Sequence, residues 1–332
     1  MKFFIGVDGG GTHTRAVVVN DTFQIVGRGE AGASNHYTVG LEAAALHCKQ
    51  AADAALLDAG RIEPQLRREA LAAWGFGLAG VRREDDAAKM RIQLSSLPNG
   101  QPFVLDHDAA AAQCGAFGGG AGLVLSAGTG LICFGVDETG ERFFADGWGP
   151  ILGDEGGGYW IGQQALRAVC RAADGRGPRT RLTAAVFHAL DVNDCDGLVR
   201  LVNTPGFERE RIAALAQCVF DTAEMGGQVS LEIRERAVSH LGACVAAATR
   251  AMLTRARERA EPEQPAPQEI SVALRGGLME DDFFRAAVGY DIGERMVEMK
   301  RDYWPVAAWR IVKPQYEAAV GAALLARRLI DG

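Results

Sequence analysis

The sequence predicts an α/β protein made of two similar halves. Strand-like and helix-like apolar periodicity alternate in the order β-β-β-α-β-α-β-α, and the pattern begins again from residue 122. Each half opens with a glycine-threonine turn between two strand-like runs, at residues 8–12 ("DGGGT") and 126–130 ("SAGTG"). The 332 residues, 48% of them hydrophobic, are enough for two domains with separate cores. We therefore expect a diverged duplication with a cleft between its halves.

The elements of the first half follow from their apolar spacing. Apolar runs predict strands over Phe3–Val7, Thr14–Val19, Ile25–Glu30, Leu71–Leu78 and Phe103–Asp106. Helical spacing predicts helices over Leu41–Asp58 and Glu84–Leu97, and an alanine-rich helix from Ala109. The first two strands form a hairpin, and its glycine turn can direct backbone N–H groups outward.

The second half repeats this order with a longer helical part. Strands are predicted over Gly122–Ser126, Leu131–Val136, Arg142–Asp146, Ile270–Leu274 and Ala308–Val312. Helices are predicted from about Tyr159, through Arg181–Arg259, after Asp281 and over Gln315–Leu329. The helical stretch in the middle is therefore an insertion into the second copy of the pattern.

Composition excludes several classes of function. The net charge is -7, and Lys and Arg are scattered, so neither a nucleic acid nor an anionic membrane is an expected partner. No window is long and apolar enough for a membrane span or a signal peptide, and we expect a cytoplasmic protein. Seven cysteines without a C-x-x-C pair suggest neither a disulfide framework nor a zinc ribbon.

The turn Asp8-Gly9-Gly10-Gly11-Thr12 has two interpretations. Glycines take positive φ without steric cost, so the turn can be merely tight. An acid and a threonine beside a glycine-rich anion nest instead favour a site for a magnesium-nucleotide complex. The second glycine-threonine turn, in an equivalent place, strengthens the phosphate interpretation.

Several motifs resemble those of one known family. The two turns, "DHDAA", "GWGPILGDEGGGYWIG" and "LRGGL" are similar to the BadF/BadG/BcrA/BcrD-type ATPase and N-acetylglucosamine kinase family, within the sugar kinase, Hsp70 and actin superfamily. The resemblance implies two ribonuclease H-like domains, each a βββαβαβα unit, with an interdomain cleft. It implies an N-terminal ATPase and sugar-binding domain over 1–117, joined by a helix in 314–332, and a C-terminal domain over 118–313 with a helical insertion. A homodimer is expected.

The resemblance also implies ATP and Mg²⁺ as cofactors and assigns residues to them. Asp8 would support Mg²⁺. The β- and γ-phosphates would be bound by Gly9, Gly10, Gly11 and Thr12 of the first turn. The second turn, Gly128, Thr129 and Gly130, would close on the phosphates from the other domain. Gly276 and Gly277 resemble the turn that receives adenosine.

Asp108 is the candidate general base. It follows a predicted strand at the end where α/β folds place ligand groups, and it matches the base of the sugar kinases to which the chain is similar. It would accept the proton of a sugar hydroxyl. From the residues alone, Asp108 and Asp106 are equally good N-caps for the following helix, so a capping role stays open.

The implied substrate is an amino sugar, N-acetylglucosamine phosphorylated at its 6-hydroxyl, with glucosamine and N-acetylmuramic acid as alternatives. The resemblance assigns sugar contacts to Asn35, Gly147, Trp148 and Asp154. Taken singly, the asparagine is compatible with an ordinary loop, the tryptophan with the core and the aspartate with a helix cap. Two residues depart from the family pattern. Leu131 stands where a serine is frequent, and Arg275 where a small or apolar residue is common.

Two other enzyme classes compete with an amino sugar kinase as interpretations of the sequence. Residues 75–80 ("GFGLAG") match the G-x-G-x-x-G of a dinucleotide-binding fold, although they fall in the fourth predicted strand; we interpret them as a packing turn. The family also includes activator ATPases of 2-hydroxyacyl-CoA dehydratases and benzoyl-CoA reductase. Those need clustered cysteines for an iron–sulfur centre, and Cys114, Cys133 and Cys170 are not clustered in the sequence.

Overall fold

The computed structural model describes residues 2–64, 66, 70–259, 269–299 and 308–331. The chain divides into two compact units. The first comprises Met1–Val124, Phe134–Arg142 and Lys313–Gly332. The second comprises Leu125–Cys133 and Phe143–Val312.

The first five-stranded sheet has the order β3-β2-β1-β4-β5. Its strands are β1 Phe3–Gly9, β2 Thr14–Asn20, β3 Ile25–Ala31, β4 Leu71–Leu78 and β5 Phe103–His107. β1, β2 and β3 form an antiparallel meander, whereas β4 and β5 run parallel to β1. Alternate residues of β1 enter different cores, with Ile5 in one and Phe4 in the other. Burial on both faces explains the continuous apolar run in the sequence.

The second sheet has the order β10-β9-β6-β7-β8. Its strands are β6 Gly122–Ala127, β7 Leu131–Val136, β8 Arg142–Asp146, β9 Glu269–Arg275 and β10 Ala308–Val312. Numbered from its own first strand, each sheet has the order 3-2-1-4-5, so the predicted duplication is confirmed. The predicted α/β fold class with two five-stranded mixed sheets is confirmed as well.

Twelve helices accompany these sheets in the described part of the chain. Those of the first unit are α1 His36–Val39, α2 Leu41–Ile62, α3 Glu84–Leu94, α4 Asp108–Ala116 and α12 Ala318–Asp331. Those of the second unit are α5 Gly158–Ala173, α6 Leu182–Leu190, α7 Cys195–Val202, α8 Arg209–Ala213, α9 Ala216–Glu224, α10 Gln228–Arg259 and α11 Asp282–Met299. No described helix has the length and apolar character of a membrane span.

The last helix begins later than the sequence predicts. The N–H groups of Gln315 and Tyr316 donate to the carbonyl oxygens of Ala116 and Gly115, both at 3.0 Å. These bonds hold the segment after Lys313 against the end of α4, so helical bonding starts only at Ala318.

The G-x-G-x-x-G stretch is a packing surface. A Cβ on Gly75 would lie 1.8 Å from the carbonyl oxygen of Ala322 in α12, and a Cβ on Gly77 would lie 2.3 Å from Cβ of Ala111 in α4. Gly75 and Gly77 lie on the same face of β4, where α12 and α4 each approach the backbone too closely for a larger residue. Gly80, with φ of 88°, ends the strand in a turn.

Candidate functional site

The first glycine turn is fixed by its carbonyl groups. The carbonyl of Gly9 accepts from Ala79 N–H at 2.7 Å, and that of Gly10 accepts from Ser34 N–H at 3.0 Å and Asn35 N–H at 3.1 Å. In a trans peptide the C=O and the following N–H point in opposite directions. Since the Gly10 carbonyl faces residues 34–35, the N–H of Gly11 is directed away from them.

The outer part of this turn offers backbone donors. Across the described ranges, the N–H groups of Gly11, Thr12 and His13 have no internal hydrogen-bond acceptor, whereas that of Gly10 donates to the His13 carbonyl at 2.9 Å. Thr12 is exposed. Successive outward N–H groups at a glycine-rich turn form an anion nest.

The base of the turn is tightly packed. The buried hydroxyl of Thr14 donates to Gly32 O at 2.6 Å, and its oxygen lies at hydrogen-bond distance, 2.8 Å, from Ser34 Oγ. A Cβ on Gly9 would lie 2.0 Å from Ser34 Oγ, so no larger residue fits there. This packing holds the backbone of the turn in one geometry.

Asp108 and the first turn share one edge of the sheet. Gly9 of β1 is in register with Leu78 of β4, which is in register with His107 of β5. With strands ~4.8 Å apart, Gly9 and His107 lie roughly 10 Å from each other. The half-buried carboxylates of Asp8 and Asp108 therefore flank the same carboxyl edge, where α/β folds bind ligands.

Neither of the two predicted N-caps caps α4. His107 is the N-cap, and its Nδ1 accepts from Ala110 N–H at 3.2 Å. Asp108 is the first helical residue, and its Oδ1 accepts from Ala109 N–H at 2.9 Å. Asp106 accepts from the His107 N–H at 2.9 Å and is paired with Arg142. The capping alternatives were wrong because an imidazole nitrogen occupies that position.

The predicted sugar residue Asn35 lies beside the first turn. It is the N-cap of α1, where its Oδ1 accepts from Tyr37 N–H at 3.1 Å. The same oxygen would be 2.9 Å from a Cβ on Gly80, so Asn35 adjoins the end of β4. Across the described residues its amide nitrogen has no acceptor.

A polar cluster next to Asn35 was not found from the sequence. His36 Nε2 lies 3.4 Å from Asp86 Oδ1, and the hydroxyl of Tyr37 donates to Asp86 Oδ2 at 2.5 Å. The Tyr37 hydrogen bond lowers the pKa of Asp86, while the same contact raises the pKa of Tyr37. The only signal in the sequence is the acidic first turn of α3, at residues 84–86.

The second glycine turn is oriented by a helix. The first N–H groups of α5, those of Gly158 and Tyr159, donate to the carbonyls of Gly128 at 2.8 Å and Thr129 at 2.9 Å. The N–H groups of Thr129 and Gly130 therefore point away from the helix. They have no acceptor in the described part of the chain. A Cβ on Gly128 would meet open space, so a ligand can approach its backbone.

Asp154 lies directly against this second turn. Its Oδ2 would be 2.5 Å from a Cβ on Gly130. Burial raises the pKa of Asp154 to about 6, opposed by hydrogen bonds from the backbone of Leu131 and Gly149 and assisted by the charge of Asp146. The alternative in which Asp154 caps α5 is wrong, since the N-cap Gly157 receives no side-chain bond there.

The segment before Asp154 is unusual in its backbone and exposure. Asp146, Gly147, Gly149 and Asp154 all have φ between 58° and 87°. The two glycines adopt this region without steric cost, whereas Asp146 and Asp154 store strain there, and proteins concentrate such strain at functional sites. The side chain of Trp148 is 57% exposed, so its interpretation as a core residue is wrong.

The predicted adenosine turn, Gly276 and Gly277, adjoins the second glycine turn. Gly276 has φ of 100°, and a Cβ there would be 2.3 Å from the carbonyl oxygen of Ala127, the residue before Gly128. Gly277, like Gly128, faces open space. Leu131 is buried at the start of β7, and Arg275 is half-buried at the end of β9.

Each unit thus gathers one set of predicted residues. The first unit brings Gly9–Thr12, Asn35 and Asp108 to one edge of its sheet. The second brings together Gly128–Gly130, Asp154 and Gly276. Among the described residues, no group of three or more His, Cys, Asp or Glu side chains is arranged to hold a metal. Mg²⁺ commonly uses only one or two carboxylates together with substrate phosphates, a requirement that Asp8 fits.

Two α/β units of one strand order, each with a glycine-threonine hairpin, define the actin-like class of ATPase folds. The chain belongs to the BadF/BadG/BcrA/BcrD ATPase family, whose model matches residues 5–326. The predicted family is thereby confirmed.

Three relatives are similar over most of the chain. N-acetyl-D-glucosamine kinase of Dictyostelium discoideum is 30% identical over 234 residues, which are 69% of this chain and 73% of that protein. N-acetylmuramic acid/N-acetylglucosamine kinase of Clostridium acetobutylicum is 25% identical over 332 residues, all of both chains. A Chromobacterium violaceum crystal structure, provisionally assigned as an N-acetylglucosamine kinase, has a TM-score of 0.74 at 28% identity and covers 98% of this chain and 99% of its own.

Proposed function

We propose that the protein is an ATP-dependent kinase that transfers a phosphoryl group to the 6-hydroxyl of an amino sugar, N-acetylglucosamine. The observation that carries the proposal is the pair of turns whose N–H groups are held outward, with Asp108 on the same edge as the first. The similarity to amino sugar kinases over most of the chain supports it. The relative that spans the whole chain makes N-acetylmuramic acid the second candidate, followed by glucosamine.

Phosphoryl transfer asks a protein mainly to position its reactants and to stabilise charge on the transferring group. We assign the phosphate contacts to the N–H groups of Gly11, Thr12, Thr129 and Gly130, which have no internal acceptor in the described residues. Mg²⁺, supported by Asp8, would neutralise negative charge on the phosphates. Gly276 and Gly277 would receive the adenosine, since Gly277 faces open space.

Asp108 would accept the proton of the sugar hydroxyl. Its Oδ1 is held by the Ala109 N–H at 2.9 Å, which fixes the carboxylate and leaves Oδ2 for the hydroxyl. Asn35 would contribute its amide nitrogen to the sugar, and the exposed indole of Trp148 would form an apolar wall. Gly147 would let the backbone approach the sugar, and Asp154 would accept hydrogen bonds from sugar hydroxyls.

The remaining expectations belong to the same proposal. We assign ATP and sugar binding to an N-terminal domain that comprises residues 1–117 and the helix in 314–332. The C-terminal domain, which carries the helical insertion, spans residues 118–313. A homodimer that works in the cytoplasm on a small-molecule substrate is expected. Sedimentation velocity of the full chain tests the dimer.

The test is ADP release by the purified protein with Mg-ATP, alone and with N-acetylglucosamine, glucosamine, N-acetylmuramic acid, N-acetylmannosamine or glucose. The proposal predicts strong stimulation by an amino sugar, and the sugar with the highest kcat/KM is the substrate. ADP release at the same rate with and without every sugar would contradict the kinase proposal. That outcome would favour the activator ATPases.

A further inference from the structure

A groove of about 560 Å³ lies in the second unit among α5, α7, α10 and the turn after α5. None of the candidate site residues lines it. Four arginines do: Arg167, Arg171, Arg176 and Arg236. Its volume is in the range, roughly 300–1,000 Å³, that small-molecule sites occupy.

The positive charge of the groove is only partly compensated. Arg176 is paired with Asp174, which does not line the groove, at 2.6 Å. Arg167 and Arg171 are one turn apart on α5, and no carboxylate pairs with either in the described residues. The guanidinium of Arg236 lies 5.0 Å from the ring centroid of Trp160. Like charges at i and i+4 repel each other, so a bound anion would stabilise this arrangement.

A glutamine side chain also lines the groove. Gln164 is 6% exposed, and its amide makes no hydrogen bond within the described part of the chain. Its nitrogen and oxygen are not among the buried polar atoms without a partner, so both reach solvent. The amide N–H groups can therefore donate to a ligand in the groove.

The rest of the lining is apolar. Leu166, Leu198, Val199 and Val202 contribute to it, and Val199 is 52% exposed. Inorganic phosphate alone would leave this apolar surface in contact with water. The groove therefore suits a molecule with a charged end and an apolar body.

We propose that this groove binds a small organic phosphate, a phosphate monoester that carries an apolar group. Guanidinium groups bind phosphate oxygens in pairs of parallel hydrogen bonds and keep their charge at every physiological pH. The Gln164 amide would donate to the same ligand. This site is separate from the proposed kinase site and does not rest on that function.

The test is isothermal titration calorimetry of the full chain with phenyl phosphate, in the presence of saturating Mg-ADP. The proposal predicts one site, with phenol and inorganic phosphate each at least about tenfold weaker than phenyl phosphate. The Arg167→Gln/Arg171→Gln variant should lose at least about tenfold in affinity. Arg250→Gln removes an exposed charge from α10 outside the groove and should bind as the wild type does.

Val199→Asp is a second variant, in which an exposed residue brings a negative charge into the groove. It should also weaken phenyl phosphate, and its melting curve shows whether the fold is kept. Equal binding by wild type and the double arginine variant would overturn the proposal, as would no binding by the wild type. Phenol binding as tightly as phenyl phosphate would overturn it too.

Discussion

Replacing Asp154 with asparagine should stabilise the protein and impair its activity. Burial raises the pKa of this carboxyl from its ordinary 3.8 to about 6, so the native state disfavours its ionised form. Asparagine has nearly the same shape, tolerates the φ of 58° and keeps one carbonyl oxygen that can accept a backbone hydrogen bond. The variant removes the charge and keeps the packing.

The magnitude follows from the two pKa values. Because the native pKa is raised, the protonated carboxyl makes its full contribution to the free energy of unfolding at low pH. That contribution is lost as the pH rises through about 6. At about pH 7.5 the ionised carboxylate therefore costs about 3 kcal/mol, at ~1.4 kcal/mol per pKa unit. At about pH 5 the gain from asparagine falls to about half of that, because the native carboxyl is already mostly protonated.

Urea unfolding at both pH values measures the difference, with Asp191→Asn as the matched control. Asp191 also has positive φ, at 55°, but is exposed at the end of α6, so its variant should change stability by less than about 0.5 kcal/mol. ADP release in the presence of sugar should fall for Asp154→Asn and stay unchanged for Asp191→Asn. A variant destabilised at the higher pH, or equally stabilised at both, would contradict a raised pKa of Asp154.

Three further predictions follow from the geometry. Asp108→Asn should lower kcat by about 10²–10⁴-fold with little change in the KM for ATP, and an unchanged kcat in steady-state assays would argue against a general base. Gly75→Ala should destabilise the protein by about 1–3 kcal/mol or more in urea unfolding, because its Cβ would lie 1.8 Å from Ala322 O. Its control is Gly60→Ala, in open space on α2, which should stabilise the protein by about 0.5–1 kcal/mol. Gly128→Ala should keep wild-type stability and raise the KM for ATP, so an unchanged KM would contradict phosphate binding at that turn.

Much of the fold follows from periodicity and turn chemistry. Strands β4, β7, β8 and β10 have their predicted bounds, since apolar residues predominate in each of them. The duplication is visible because the same element order and the same glycine-threonine turn occur twice. The start of α12 cannot be read from the sequence, because it depends on hydrogen bonds from Gln315 and Tyr316 to α4, which is far away along the chain.

The sequence predicts the motifs of the candidate site well, but it predicts the contacts of individual side chains less well. The sequence left the cap of α4 open between Asp106 and Asp108, because a histidine ring is seldom considered as a cap. An exposed tryptophan cannot be told from a buried one by its type, so the surface position of Trp148 needed the structure. The arginine groove joins residues from 164 to 236, and no local pattern reveals it.

The proposed kinase activity is tested most directly by ³¹P NMR of a reaction of the protein with Mg-ATP and N-acetylglucosamine. We expect a phosphate monoester on the 6-hydroxyl, formed in equal amount to ADP, and its near absence with Asp108→Asn. Inorganic phosphate in equal amount to ADP, with the sugar unchanged, would contradict it.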